Sequence, residues 1–233
     1  MSAAAAIGPA GAAFLALIGL ALPYGAWRSG RALRSVDPPP RTALYLSTLA
    51  VQLVLGACAL ATARLEGIAP RAGAVGPREL AYGAFSLALL FATMAPVWRS
   101  AARRGDRRIA LFAPREAPER TLWVAVSLCA AVAEELAWRG VGVELFARLG
   151  IEPDAAVLLA AGSFGLAHLA QGGRAALVVA GWAVGAHLLV GATGGLAVAI
   201  GVHFLYDVVA GLACARLLRP AEAEASGGRG PRV

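Results

Sequence analysis

Ala131-Val132-Ala133-Glu134-Glu135-Leu136-Ala137-Trp138-Arg139-Gly140 places two adjacent carboxylates and an arginine inside an apolar run that begins near Leu122. On a helix Glu135 and Arg139 are four residues apart and share a face, with the acid N-terminal to the base. Glu134 points about 100° away, onto the face of Trp138. The spacing predicts one glutamate held by the arginine and its neighbour unpaired. Ionisable groups at bilayer depth cost about 2.5–3.5 kcal/mol each on insertion scales. Such a cluster requires internal partners or a function. A salt bridge that locks two helices accounts for Glu135 and Arg139, but leaves Glu134 without a purpose.

The rest of the chain explains why those charges sit at bilayer depth. Of its 233 residues, 59% are hydrophobic and 15% charged, with a mean hydropathy of +0.68. Soluble domains run about 45–50% apolar and about 25% charged, so the composition is that of an integral membrane protein. The net charge of +7 comes from arginine, since the chain has no lysine. In a soluble protein that balance would suggest nucleic acid. Here the arginines lie between apolar runs and read as topology determinants and contacts for anionic lipid, with no nucleic-acid partner. Cys58, Cys129 and Cys214 lie inside apolar runs without CxxC or other ligand spacing, and read as packing residues.

Seven apolar runs follow in order, near 3–27, 42–63, 80–98, 121–143, 154–170, 174–192 and 196–218. The first is followed by Arg28, Arg31 and Arg34, the reverse of a signal peptide's charge order, and reads as a retained helix. Asp37-Pro38-Pro39-Pro40 breaks the chain before the second run, and Pro96 is expected to kink or end the third. The expected fold is all-α, a polytopic transmembrane bundle of about seven helices (six to eight) with a polar cavity among the last four. We expect one integral membrane domain over 1–218, its catalytic core at 121–218, and a disordered polar tail over 219–233. Loops one, three and five and the end of the chain from Arg216 onward hold sixteen arginines against four on the opposite side. The positive-inside rule then places the N-terminus outside and the C-terminus in the cytoplasm.

Three further polar groups lie at membrane depth in the last runs. His168 closes Phe164-Gly165-Leu166-Ala167-His168, near Ser163, and His203 and Asp207 fall on one helical face. His187 stands alone, and an interhelical hydrogen bond is its expected role. Glu134, Glu135, Arg139, His168, His203 and Asp207 are six costly groups on three hydrophobic helices, and one shared polar cavity is the economical explanation. A glutamate free of ion pairing can take a proton from water. A histidine can share that water or bind a metal, and a second can bind the same metal or donate to an oxyanion. That inventory suits hydrolysis of an amide bond. There is no HExxH zinc helix, and Asp207 is the only aspartate well inside an apolar run. A serine route through Ser163 and His203 is compatible with spacing but leaves both glutamates idle.

At these residues the sequence resembles the CPBP family of intramembrane proteases, which holds the type II CAAX prenyl endopeptidases and the Abi-like, bacteriocin-immunity proteins. The motifs are Glu134-Glu135 with Arg139 (EExxxR), Phe164 through His168 (FxxxH) and His203 through Asp207 (HxxxD), each on its own hydrophobic segment within about 121–218. The resemblance implies Glu134 as general base on water with His168 as its partner. It implies that Glu135 pairs with Arg139 and shapes the site, and that His203 and Asp207 stabilise an oxyanion. Asp207 replaces the asparagine of the eukaryotic relatives, and an ionised carboxylate cannot donate a hydrogen bond. It is left to orient His203, to donate when protonated, or to bind metal. Family members are described both as metalloproteases and as metal-free glutamate proteases. A divalent metal such as zinc is therefore an open cofactor, with Glu134, His168, His203 and Asp207 as its ligands.

The function expected is a CAAX-protease-like intramembrane endopeptidase acting on a peptide or membrane protein, in a bacterial inner membrane. A second reading is a non-catalytic membrane scaffold or bacteriocin-immunity protein using the same fold. A third is a proton-coupled carrier, but the chain lacks the two comparable halves of inverted-repeat carriers.

Overall fold

The computed structural model describes residues 6–33 and 39–227, with side chains throughout these except 107–109 and 219–227. Eight helices follow one another among the described residues. α1 is Pro9–Ala32, α2 Arg41–Leu65 and α3 Pro77–Arg103, and the short α4 is Arg107–Phe112. α5 is Ala117–Arg148, α6 Pro153–Ala167 and α7 Gly173–Thr193, and α8 is Leu196–Gly227. Six are long and apolar enough to cross a membrane, and α6, at 15 residues, is shorter. No strand occurs among the described residues. The all-α transmembrane bundle expected from the apolar runs is thus the fold observed.

Proline and acid side chains set where the helices begin. Pro9, Pro77 and Pro153 each open a helix, where a missing N–H costs nothing. The carboxylate of Glu79 turns back to the Gly76 amide, 3.2 Å away. Glu119 does the same for the amides of Arg115 and Glu116, at 2.7 and 3.2 Å. The start of α1 is capped from a distance. Glu66, just after α2, accepts hydrogen bonds from the amides of Gly8 at 2.9 Å and Gly11 at 2.7 Å. Those two bonds hold its carboxyl below the usual carboxylate range, with Arg148 adding a smaller pull. Arg148 also donates to the Glu66 carbonyl at 2.7 Å, tying α5 to the same corner.

Small residues let the helices approach. The core cluster joins Phe14 and Ile18 of α1, Leu55, Ala59 and Ala63 of α2, and Ala137, Trp138, Val141 and Leu145 of α5. Ala160, Ala161 and Phe164 of α6 and Ala183 of α7 complete it. Many large apolar side chains point outward instead, among them Leu20, Val54, Phe85, Leu158, Leu177 and Leu188. That arrangement fits a lipid environment, where packing of small side chains holds helices together. The loop between α2 and α3 meets the start of α8 as well. Leu196 and Ala197, the first residues of α8, donate to the carbonyls of Arg71 and Ala72. Gly195 permits that crossing, because a Cβ there would lie 2.3 Å from the Gly73 nitrogen.

Several details depart from the sequence reading. Pro96 neither ends α3, which continues to Arg103, nor interrupts its helical assignment. α5 is longer than the run 121–143 and contains a π-helical segment, Glu135–Gly142. A second π-helical segment, Leu17–Ala21, lies in α1 and packs against it. The wider π turn re-phases residues after Glu135, so Trp138 faces α6 and does not share the surroundings of Glu134. Helix α8 is drawn to Gly227, through part of the tail read as disordered, and the rest of that tail, 228–233, lies outside the described residues. The Asp37–Pro40 break falls partly outside them too.

Candidate functional site: a buried acid–imidazole cluster

Three motif-bearing helices meet where the first π turn of α5 begins. Glu134 ends the α-helical part of α5, and Glu135 and Arg139 lie on the π segment. All three are buried. Nη1 of Arg139 lies 3.4 Å from Oε1 of Glu135, so the expected pair forms. It is an ion pair without hydrogen-bond alignment, because Nη1 has no hydrogen-bond partner among the described residues. Its guanidinium instead lies over the Phe164 ring, 4.4 Å from the centroid, a cation–π contact that partly replaces lost hydration.

His203 is the centre of the cluster. Its Nδ1–H donates to Glu135 Oε1 at 2.9 Å, since a carboxylate can only accept. Its Nε2 lies 3.7 Å from Glu134 Oε2 and 3.6 Å from Asp207 Oδ2. Those separations are too long for direct hydrogen bonds and suit a bridging water. Glu135, not Asp207, therefore fixes the orientation of His203. Asp207 stands with Glu134 on the other side of the ring. Trp123 of α5 holds this part of α8 by donating to the Asp207 carbonyl at 3.0 Å.

His168 sits at the C-terminal end of α6. Its Nδ1–H donates to the Phe164 carbonyl at 2.8 Å, which leaves Nε2 as the basic nitrogen of the neutral ring. The Phe164 ring bridges the two imidazoles, 4.5 Å from His168 and 6.4 Å from His203 between ring centroids. His168 also lies within electrostatic reach of Asp207. It makes no direct contact with Glu134 among the described residues, so the imidazole facing Glu134 is that of His203.

Glu134 is not unpaired as the spacing suggested. Gln52 of α2 donates from its side-chain nitrogen to Glu134 Oε1. A lone amide in the apolar run 42–63 was the only sequence signal for Gln52, and it belongs to no motif. Ser163 also has a structural partner set. Its hydroxyl accepts from Trp138 Nε1 at 3.0 Å and donates to the Ile18 carbonyl at 2.8 Å. The second bond reaches into the π-helical segment of α1. His187 departs from the expected interhelical hydrogen bond. It is buried within reach of the charges of Arg139 and Glu135, yet its Nε2 has no partner among the described residues. Cys58, Cys129 and Cys214 are free thiols.

Nδ1–H of His203 bonds Glu135 and Nδ1–H of His168 bonds a carbonyl, which leaves Nε2 of each ring free, as in an imidazole that binds metal. No three histidine, cysteine or carboxylate side chains converge as a ligand set among the described residues.

The fold and this cluster define a class: a polytopic helical membrane protein with acid and imidazole groups gathered inside the bundle. Residues 117–209 match the family model described as Rce1-like, type II CAAX prenyl endopeptidase Rce1-like. The segment that bears the site is similar to that protease family, as its three motifs led us to expect. No curated protein and no solved structure matches the chain.

Proposed function

We propose that the chain is an intramembrane endopeptidase that hydrolyses a peptide bond near the membrane with water activated by Glu134. The observation that carries this is the pairing of Glu134 Oε2 and Asp207 Oδ2 around Nε2 of His203, within 3.6–3.7 Å, inside apolar helices. A water among these atoms has a carboxylate to take its proton. Glu134 accepts that proton as the water oxygen bonds to the peptide carbonyl carbon. The carbonyl oxygen becomes an oxyanion. A His203 carrying both protons keeps Nδ1–H on Glu135 and offers Nε2–H to that oxyanion. The carbon–nitrogen bond then breaks as the proton held by Glu134 passes to the leaving nitrogen. Nε2 of His168, left basic by its bond to the Phe164 carbonyl, serves as a second stop for that proton. Asp207 acts beside His203 and, as a carboxylate, is not itself a donor to the oxyanion.

In this reading Glu135 and Arg139 shape the site. The substrate is a peptide or membrane protein, and prenylation is not part of the proposal. The setting proposed is a bacterial inner membrane, with the N-terminus outside and the C-terminus cytoplasmic, on the arginine distribution. Membrane proteomes of cells carrying wild type and Glu134→Gln provide the test. A cut protein present with wild type and intact with Glu134→Gln is the expected result. Full cellular function in both Glu134→Gln and His168→Ala would favour the scaffold or immunity reading. Metal analysis of the purified protein tests the metal-free form of the mechanism.

A further inference from the structure

Glu134 has two oxygens, and they face different helices. Oε2 faces His203 on α8. Oε1 accepts the side-chain amide of Gln52 on α2, a buried contact between residues 82 apart in sequence. The direction of that bond follows from chemistry, because a carboxylate accepts and only the NH2 end of the amide can donate. The other end of the same amide, Gln52 Oε1, is buried without a partner. Buried polar atoms are rarely left so, and those that are call for a specific explanation. α2 lies outside the segment that matches the family model, residues 117–209.

We propose that Gln52 is a positioning residue for Glu134: its amide is held in this buried place, its own oxygen unpartnered, by the bond to the carboxylate that acts on water. The amide nitrogen anchors Oε1 and turns Oε2 toward His203. The site is then completed by a side chain from the N-terminal half of the chain. What Gln52 positions depends on the protease reading, but the bond itself does not.

The bond is tested without a substrate. A hydrophobic carbodiimide labels carboxyl groups in membrane proteins, and peptide mass spectrometry locates the label. In Gln52→Leu, released from its donor, Glu134 is expected to label about tenfold faster, the order of effect of one hydrogen bond to a charged group. An unchanged rate in a protein that still melts cooperatively overturns the proposal. Should Gln52→Leu fail to fold, the exchange Gln52→Glu with Glu134→Gln carries the test. It reverses donor and acceptor, so its melting is expected to recover most of what each single change loses, and no recovery overturns the proposal. The second arm reads cut protein in membranes. Gln52→Leu is expected to lower it about tenfold, and undiminished cutting overturns the positioning role. If wild type and Glu134→Gln show no difference in cutting, the protease reading fails while the labelling result still decides the bond.

Discussion

Ser163 is held between two helices, accepting from Trp138 and donating to Ile18. Ser163→Ala leaves an indole N–H and a carbonyl buried without partners. It is expected to lower stability by about 1–3 kcal/mol, read as a fall in the thermal midpoint in detergent. Cleavage should persist, because the hydroxyl faces α1 and Trp138; its loss would instead revive a serine nucleophile. Glu135→Ala and Arg139→Ala act differently. Each strands a buried charge, and each is expected to cost about 3–5 kcal/mol in the same melting assay. The charged members of the site were legible in the sequence because a charge inside an apolar run is too expensive to be incidental. Gln52 was not, since an uncharged amide is cheap enough to pass as packing. The pairing of Glu135 with His203 was also hidden, as spacing along one helix says nothing of which carboxylate another helix will meet.

At the scale of elements, the π segment of α5 sets where the site's side chains point. Its wider turn brings the Ala137 carbonyl close to Gly142, where a Cβ would lie 2.9 Å from that oxygen and 2.9 Å from Cδ1 of Ile18. Gly142→Val therefore drives side-chain atoms into the backbone of one π segment and the side chain of the other. A loss of about 1–3 kcal/mol is expected, measured by thermal unfolding. The positions of all seven apolar helices could be read from hydropathy, because each must present a continuous apolar surface to lipid. The π segments could not, since they leave no periodicity of their own in the hydropathy. Pro96, expected to kink or end α3, does not end it; prolines are tolerated in membrane helices where neighbours satisfy the freed carbonyl.

For the molecule as a whole, Glu66 ties the start of α1 to the end of α2 through two backbone amides. Its carboxyl is held below the ordinary range in the folded state. The stabilisation is complete above the carboxyl's unfolded value and fades as pH falls through the lower folded one. Wild type is therefore expected to lose part of its thermal stability on acidification, and Glu66→Gln to show a shallower loss over that interval. Parallel slopes for the two proteins would remove Glu66 as the cause.

The shortness of α6 bears on the lipid itself. Fifteen residues reach only about 22 Å along a helix axis, against a hydrocarbon layer of about 30 Å. A bilayer around α6 is expected to thin, or to admit solvent, at one of its ends, and either response carries an elastic cost that grows with acyl-chain length. Reconstitution in short-chain phospholipids should then favour turnover, and long-chain phospholipids should suppress it.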